Sequence, residues 1–479
     1  MNDLLEDPLF RVSSREGMEG LSLCQILASL SRGEDLQFTN LQLHQHHPWF
    51  AFLVQLGALT VAREGDLPTT PQGWEERLLL LSSGNRSAWK LVVHDADQPA
   101  FLQSPISEGL EVFLQEAKEE LASPDAIDIA MDPRNVDLKR GRIHWASEDH
   151  WVYALVARQT FGSYTGKFNY GVIRMKSKVC ARVCVGFYRD LSWSSRFIHD
   201  VYVWQKSRSE LMDAMGGQTG EKALLWTLPW DGTEQTAVSL QELDPACIEV
   251  CRRIRLFRRS SSKIFARNRP TQSERVKDRS LWVGKGPFAV DIWSPTKLRE
   301  TLAGSPGDFR YRRLAEVLFD ADWKWPSKKW ASKGASYALV QVLSNTKGKT
   351  EGFTERVILL PKGDHSLEIT SLLKKISKAE GLLKSLLKDL QVPAGWTHID
   401  EFNTEVDDAF FREISNPESD LQERWDRYLV KIMLLIFSAA MRGLNPVRVA
   451  VAENKLWSGL RRLGISRVKS GDEQGTCIE

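Results

Sequence analysis

The strongest constraint on the fold is a change of pattern after Pro361. From residue 366 to residue 391 apolar side chains recur at helical spacing, as at Leu372, Leu373 and Ile376. The pattern returns around 399–414, 418–441 and 446–463, with Gly395, Asn416-Pro417 and Asn445-Pro446 as breakers between the segments. Four helices with short connections predict a C-terminal four-helix bundle over 362–469, followed by a flexible tail at 470–479.

Residues 1–361 carry mixed patterns. Asp149 to Gln159 has helical spacing, whereas Tyr337 to Val342 alternates like a strand and is expected to pair with Arg356 to Leu360. Glycine and proline interrupt the chain from Thr227 to Pro361. The sequence therefore predicts an α+β fold, in which an irregular mixed domain at 1–361 precedes the bundle.

Composition limits the class of protein and the compartment in which the chain is expected to function. The 479 residues are 42% hydrophobic, which is ordinary for a globular protein of two to three domains. Six scattered cysteines are too few for a disulfide framework and favour a reducing cytoplasm. The start of the chain is acidic, not typical of a signal peptide, and no apolar run reaches the length of a membrane span.

A glycine-rich stretch from Arg158 to Lys178 contains no acid. It combines three glycines with four aromatic residues and five cations: Arg158, Lys167, Arg174, Lys176 and Lys178. Glycine permits close approach of the backbone, and the cations attract phosphate. The stretch is interpreted either as a nucleic-acid-binding loop or as an ordinary hairpin with a basic face.

The surroundings favour the nucleic-acid interpretation. Between Arg252 and Lys285 there are twelve cations and only two acids, Glu274 and Asp278. Such an excess is typical of a polyanion-binding surface and less typical of a solvated loop. A polar, basic loop is also predicted from Met131 to Ala146, and a hairpin with a small basic tip around residues 343–354.

Motifs for catalysis or metal binding are missing from the sequence. Phosphate-loop, nucleophile-elbow and H-E-x-x-H patterns do not occur. His44, His46 and His47 are interpreted as an exposed linker rather than a metal cluster. The pairs Cys180/Cys184 and Cys247/Cys251 have x3 spacing, which favours buried free thiols over zinc. We therefore predict neither enzymatic activity nor a cofactor.

Ordered motifs along the chain resemble one family, the large subunit (CasA family) of the type I-E CRISPR Cascade surveillance complex. The opening LLEDPLFRV, the DQPAFLQ patch at 97–103 and the PACIEVC run at 245–251 are similar to family patterns. Phe410-Phe411-Arg412 and VAVAENKLWSGLRRL at 449–463 look like its bundle helices.

The resemblance implies a non-catalytic subunit that recognises the protospacer-adjacent motif (PAM) in duplex DNA. It implies that the subunit starts strand separation for R-loop formation and helps to recruit an effector nuclease. Its implied partners are the crRNA guide, target duplex DNA, the other Cascade subunits and that nuclease. The sequence is also compatible with a variant system, in which a nuclease is fused to another subunit or a transposase is recruited.

Site residues follow from position in the resemblance. The loop near the guide's 5′ end would contain Arg134, Asn135, Lys139, Arg140 and Arg142. The glycine loop in the minor groove would contain Gly162, Ser163, Tyr164, Thr165, Gly166, Lys167 and Asn169. The wedge would contain Asn345, Thr346, Lys347, Lys349 and Thr350, and the basic run would contribute Arg258, Arg259, Lys263 and Arg267.

Two departures from the family stand out. Lys349-Thr350 replaces a frequent Gln-Ala pair near the wedge tip, and arginine and serine replace most of a cysteine cluster, so no zinc is expected. The alternatives are a basic interaction scaffold and an enzyme with an unrecognised nuclease site.

Overall fold

The computed structural model of the chain describes most of its residues. The described ranges are 2–14, 17–117, 120–131, 143, 145–174, 181–215, 220–259, 263–277, 291–297, 300–304, 309–331, 334–346, 349–363, 365–392, 395–415 and 421–465. Two compact units are present. One consists of residues 1–308 and 322–357, and the other of residues 309–321 and 358–479.

The first unit opens with a small antiparallel sheet and three helices. Strand β1 (Phe10–Ser14) lies between β2 (Gly17–Leu21) and β3 (Gln37–Phe38). Helix α1 (Leu23–Ser31) begins at Ser22, whose hydroxyl accepts a hydrogen bond from Gln25 N. Helices α2 (His46–Glu64) and α3 (Pro71–Leu81) follow.

Helix α2 is the centre of the core. Apart from Gln55 it is apolar around its whole circumference between Trp49 and Leu59, which predicts burial on all sides. Aromatic rings pack beside it. The ring centroid of Trp49 lies 5.2 Å from that of Phe10 and 5.2 Å from that of Tyr153. The elements of this unit are therefore arranged around one helix rather than around one large sheet.

The remaining elements of the first unit are short, apart from two helices and one hairpin. They are α4 (Leu110–Glu116), α5 (Glu148–Phe161), β4 (Ala181–Tyr188), α6 (Trp193–Ala214), β5 (Lys222–Leu224), β6 (Val238–Ser239), β7 (Leu243–Ile248), β8 (Arg253–Arg258), β9 (Ile264–Arg269), β10 (Val276–Lys277), β11 (Thr296–Lys297), β12 (Glu300–Thr301) and β13 (Ala303–Gly304). Helices α5 and α6 pack against α2.

The second unit is helical. Helix α7 (Tyr311–Phe319) belongs to it, whereas α8 (Pro326–Trp330) and most of the hairpin β14 (Tyr337–Thr346) and β15 (Lys349–Leu359) belong to the first unit. Four long helices complete the second unit: α9 (Ser366–Asp389), α10 (Gly395–Ser415), α11 (Leu421–Ala440) and α12 (Pro446–Arg462). Leu383, Phe410, Trp425 and Leu456 are buried between them. The predicted α+β class with a C-terminal four-helix bundle is confirmed.

Two sheets matter for the site. β4 lies between β13 and β14, and β14 continues to β15 at the sheet edge. β8 and β9 form a separate antiparallel hairpin in which Ile254 is opposite Asn268.

Two local predictions were wrong. The sequence at 74–122 predicts helices with a loop at Ala96–Pro105, yet α3 and α4 are the only α-helices among the described residues of this range. Between these helices the buried Gln103 side chain donates to Leu91 O and Phe101 O, which stabilises irregular backbone. The sequence from Asp125 to Ala130 predicts a short strand or extended run, but these residues form tight turns, because the Asp128 carboxylate accepts a hydrogen bond from Ala130 N.

Candidate nucleic-acid interface

The predicted glycine loop leaves the end of α5 and returns on itself. Val172 N donates to Gly162 O at 3.0 Å, and Thr165 N donates to Asn169 O at 3.1 Å. At the tip, Asn169 N donates to Gly166 O at 3.0 Å, and Phe168 has a φ of 73°. These bonds give residues 162–172 a defined shape.

The two sides of the loop meet at a tight neck. A Cβ at Gly171 would lie 2.8 Å from Gly162 O and from the Ser163 backbone, so only glycine fits there. Arg252 joins both sides, because its guanidinium donates to Ser163 O at 2.8 Å and also to Tyr170 O. The sequence did not single out this clamping role.

The tip is exposed and carries a cation beside an aromatic ring. Lys167 is exposed, and its Nζ lies 4.9 Å from the Phe168 ring centroid. Thr271 N donates to Phe168 O at 3.0 Å and holds the backbone of the tip. The tip thus combines small residues with the amine of Lys167 and the amide of Asn169 on a backbone held by hydrogen bonds. This arrangement suits close approach to a polyanion.

Two predicted phosphate-attracting cations have a different role. The Arg158 side chain is buried and donates to Ile127 O and Asp128 O. Arg174 is buried against Glu249, at 3.0 Å. Neither side chain is exposed as a surface attractor for phosphate, because each is buried among partners that the local sequence does not reveal; Lys176 and Lys178 lie outside the described residues.

Gln159 is a second residue that the sequence analysis missed. It is fully buried in α5, and its amide donates to Leu102 O and Arg252 O. Its side-chain oxygen accepts from Cys251 N and Arg252 N. An amide side chain just after the apolar run Trp151 to Ala157 of α5 was the available signal for this junction.

The predicted loop after Met131 is anchored at both ends. Arg134, Asn135, Lys139, Arg140 and Arg142 lie outside the described residues, as does most of this loop. On one side Asp128 binds His44 Nε2 and Gln45 Nε2, each at 2.6 Å. On the other, Ile143 N donates to Asp125 at 2.8 Å.

The electrostatics of this anchor favour a charged carboxylate. Burial alone would raise the pKa of Asp128, but His44, Ala130 N and Gln45 together hold that pKa below its ordinary value. Since Arg158 binds the backbone next to Asp128, the base of this loop is tied to α5, which carries the glycine loop. The expected exposed histidine linker was wrong, because both His44 and His47 are buried.

The predicted wedge is the connection between β14 and β15. Lys347 lies outside the described residues, and the description of Asn345, Thr346, Lys349 and Thr350 is confined to their backbone. The base of the hairpin is fixed to α2. His47 Nδ1 donates to Gln341 Oε1 at 2.9 Å, and Gln341 Nε2 donates to Glu355 at 2.6 Å. Burial lowers the pKa of His47 to about 3.

Described residues that flank all three predicted segments converge on one end of α2 and α5. One small cavity is lined by Ile129 beside the first loop, Phe161 before the glycine loop, and Leu343 and Phe353 of the hairpin. His44 and His47 line the same cavity. Segments that are more than 200 residues apart in sequence therefore meet at one place.

The basic run is less positive than its sequence indicates. Arg259 pairs with Glu120 at 2.7 Å, Arg267 lies 3.8 Å from the same carboxylate, and Arg258 lies 3.6 Å from Glu148. Arg253 and Arg269 pair with Glu108. Acids that are distant in sequence neutralise these arginines, so the twelve-to-two ratio of cations to acids overstates the net positive charge of this surface. Lys263 is exposed.

Metal and nucleophile chemistry has little support among the described residues. No group of three or more His, Cys, Asp or Glu side chains there is placed to hold a metal ion. Burial raises the pKa of Cys184 to about 12 and that of Cys247 to about 11, which disfavours reactive thiolates. No helix in the described ranges is long and apolar enough to span a membrane.

Comparison with known proteins gave matches only in structure. Neither a protein-family model nor a curated protein matches the sequence. Cse1 from Thermobifida fusca superposes with a TM-score of 0.65 at 12% identity, over 97% of this chain and 98% of that one. CasA (Cse1) from Thermus thermophilus gives 0.62 at 14%, over 96% and 98%. A chain of a CRISPR RNA-guided surveillance complex gives 0.58 at 13%, over 96% and 99%.

These sequence identities are low, but the superposition covers nearly all of this chain and nearly all of each matched chain. The chain therefore has the CasA (Cse1) fold over both of its units. The fold that the resemblance implied is confirmed, whereas function has to be argued from the site.

Proposed function

We propose that the chain is the non-catalytic large subunit of an RNA-guided CRISPR Cascade complex in antiviral defence. The observation that carries the proposal is the convergence of the two loops and the hairpin at one end of α2 and α5, within the CasA (Cse1) fold. A shared fold alone would be compatible with many activities.

The glycine loop reads the PAM from the minor groove. Gly166 permits close approach, and Lys167 and Asn169 supply donors to base edges and phosphates. The bonded neck at Gly171 and Arg252 supports this role, because a reader must hold its donors in place.

The hairpin starts strand separation and so begins the R-loop. Unstacking a base step costs a few kcal/mol, which a rigid hairpin offsets through new contacts. The His47–Gln341–Glu355 anchor and the pairing of β14 with β4 supply that rigidity. Base pairing with the guide then reads the remaining target sequence.

The partners of the chain are the crRNA guide, the other Cascade subunits, the target duplex and an effector nuclease. The loop from Met131 to Trp145 lies near the guide's 5′ end, and the duplex or displaced strand follows Arg258, Arg259, Lys263 and Arg267. Chemistry is left to the recruited nuclease.

Co-purification tests this proposal. The tagged chain is co-expressed with the proteins encoded beside it and with a short repeat-spacer RNA, and the purified material is assayed for RNA and for duplex binding. Recovery of a guide-containing assembly supports the proposal. Recovery of the bare chain without RNA and without duplex binding contradicts it and favours the scaffold, whereas metal-dependent cleavage by the chain alone favours an enzyme.

A further inference from the structure

A small polar cavity lies beneath the glycine loop. Its volume is about 110 Å³, and its polar lining comes from Arg158, Thr165, Asn169, Arg252 and Asn268. The loop forms one wall, the 121–127 segment a second, and the β8–β9 hairpin a third. Two guanidinium groups line it, and no carboxylate does among the described residues.

Arg252 is the main reason to expect an anion here. Its side chain is 5% exposed, and its guanidinium donates to the carbonyl oxygens of Ser163, Tyr170 and Cys251 and contacts the Cys251 thiol. Within the described residues it forms no salt bridge with a carboxylate. A buried charge without a counter-charge is costly, so a bound anion would stabilise this arrangement.

Other buried arginines show what distinguishes Arg252. Arg255 and Arg275 also donate to carbonyl oxygens. Their guanidinium groups brace the backbone, and neither residue lines this cavity. Arg252 braces the loop neck and also borders an open volume beside a second guanidinium.

Asn268 gives an independent indication. Its side-chain oxygen is buried and has no hydrogen-bond partner among the residues that the structure describes. Asn268 is opposite Ile254 in the β8–β9 register, and both residues line the cavity. Because the oxygen and nitrogen of an amide are interchangeable by rotation, Asn268 can present its NH₂ group to a ligand.

The volume limits the size of the ligand. A volume of about 110 Å³ has room for roughly three to four water molecules. That is enough for one tetrahedral oxyanion, and the rest of a nucleotide would have to lie outside the cavity. We propose that the cavity is an anion site that binds a single phosphate group, either the phosphodiester of a nucleic acid or free inorganic phosphate.

The proposed site links ligand binding to the shape of the loop. Arg252, Thr165 and Asn169 all belong to the loop or its neck, so a bound phosphate would order the residues that carry Lys167. The site requires neither a guide nor partner subunits, so it is tested separately from the proposed function.

Thermal unfolding of the full chain in inorganic phosphate, against chloride at equal ionic strength, tests the site. We expect phosphate to raise the Tm by about 3 to 5 °C at one hundred times its dissociation constant. Asn268→Asp places a carboxylate in the same volume. It should raise the Tm in chloride and abolish the response to phosphate, whereas Asn454→Asp on an exposed face of α12 should keep the response.

Two outcomes would overturn the site: a wild-type Tm that is equal in phosphate and chloride, or an Asn268→Asp protein that responds like wild type. If Asn268→Asp does not fold, Thr165→Val replaces it and should weaken phosphate binding about fivefold, as expected for one lost hydrogen bond; unchanged binding counts against the site. A short DNA duplex identifies the source. Loss of the phosphate response when duplex is bound assigns the site to the DNA backbone, and an additive response assigns it to free phosphate.

Discussion

Lys167 forms the exposed tip of the glycine loop together with Phe168, and it is the residue there best placed to meet a phosphate. We expect Lys167→Ala to weaken duplex binding and to reduce the salt slope, log K against log [salt], by about one. Lys349→Ala in the wedge should act in the same way. Binding titrations between 50 and 200 mM salt measure both effects.

Lys206, an exposed lysine of α6, provides the matched control. Lys206→Ala should leave the affinity and the salt slope unchanged. If both Lys167→Ala and Lys349→Ala keep the wild-type affinity and salt slope, the proposal that these loops contact DNA is contradicted.

Gln159 is the residue on which the loop neck depends for stability. Gln159→Leu would leave two buried carbonyls and two buried N–H groups without their partner. We expect the free energy of unfolding of the first unit to fall by about 3 kcal/mol, since each unmet buried group costs on the order of 1 kcal/mol or more. Urea unfolding measures the change. Gln205→Leu, on an exposed position of α6, should cost much less, and equal losses would contradict this account.

At the scale of elements, the hairpin and α2 are coupled through His47. Burial lowers the pKa of His47 from 6.5 to about 3, so between these values the unfolded chain binds a proton that the folded chain does not. Stability is therefore retained above pH 6.5 and is lost as the pH falls, by about 2 kcal/mol between pH 6.5 and pH 5.

Replacement of His47 isolates this contribution. Between pH 6.5 and pH 5 the unfolding free energy of His47→Gln should therefore fall by about 2 kcal/mol less than that of the wild type. His94→Gln removes an exposed imidazole and should keep the wild-type slope. Parallel pH profiles for wild type and His47→Gln would show that this buried imidazole does not control the hairpin base.

Elements with internal periodicity could be predicted from the sequence. The expected helices at 366–391, 399–414, 418–441 and 446–463 correspond to α9, α10, α11 and α12, because each buries a stripe that its own spacing reveals. Asn445, which caps α12, and Pro446 in its first turn also marked the start of that helix.

Contacts between distant segments could not be predicted in this way. Glu120 neutralises Arg259 across 139 positions, and Glu108 binds Arg269 across 161 positions, so local charge counting misjudged the basic run. His44 and Asp128 lie 84 positions apart, and neither residue alone indicates a buried pair. The site residues inferred from the resemblance stay predictions, but those in the described loop lie at its tip and neck.

At the scale of the whole molecule, nearly complete coverage by CasA (Cse1) structures accompanies sequence identities of 12 to 14%. A core tolerates extensive replacement of its hydrophobic residues if total volume and periodicity are kept. This explains how chains with such low sequence identity share one fold. The reading of DNA depends instead on a few exposed side chains.

The most direct test of the central claim is selection from a library of target duplexes with randomised flanking positions. The guide-containing assembly is prepared with and without this chain, and the bound duplexes are sequenced. We predict enrichment of one short flanking motif only when the chain is present. Equal enrichment without the chain, or none with it, would contradict the assignment of DNA recognition to this protein.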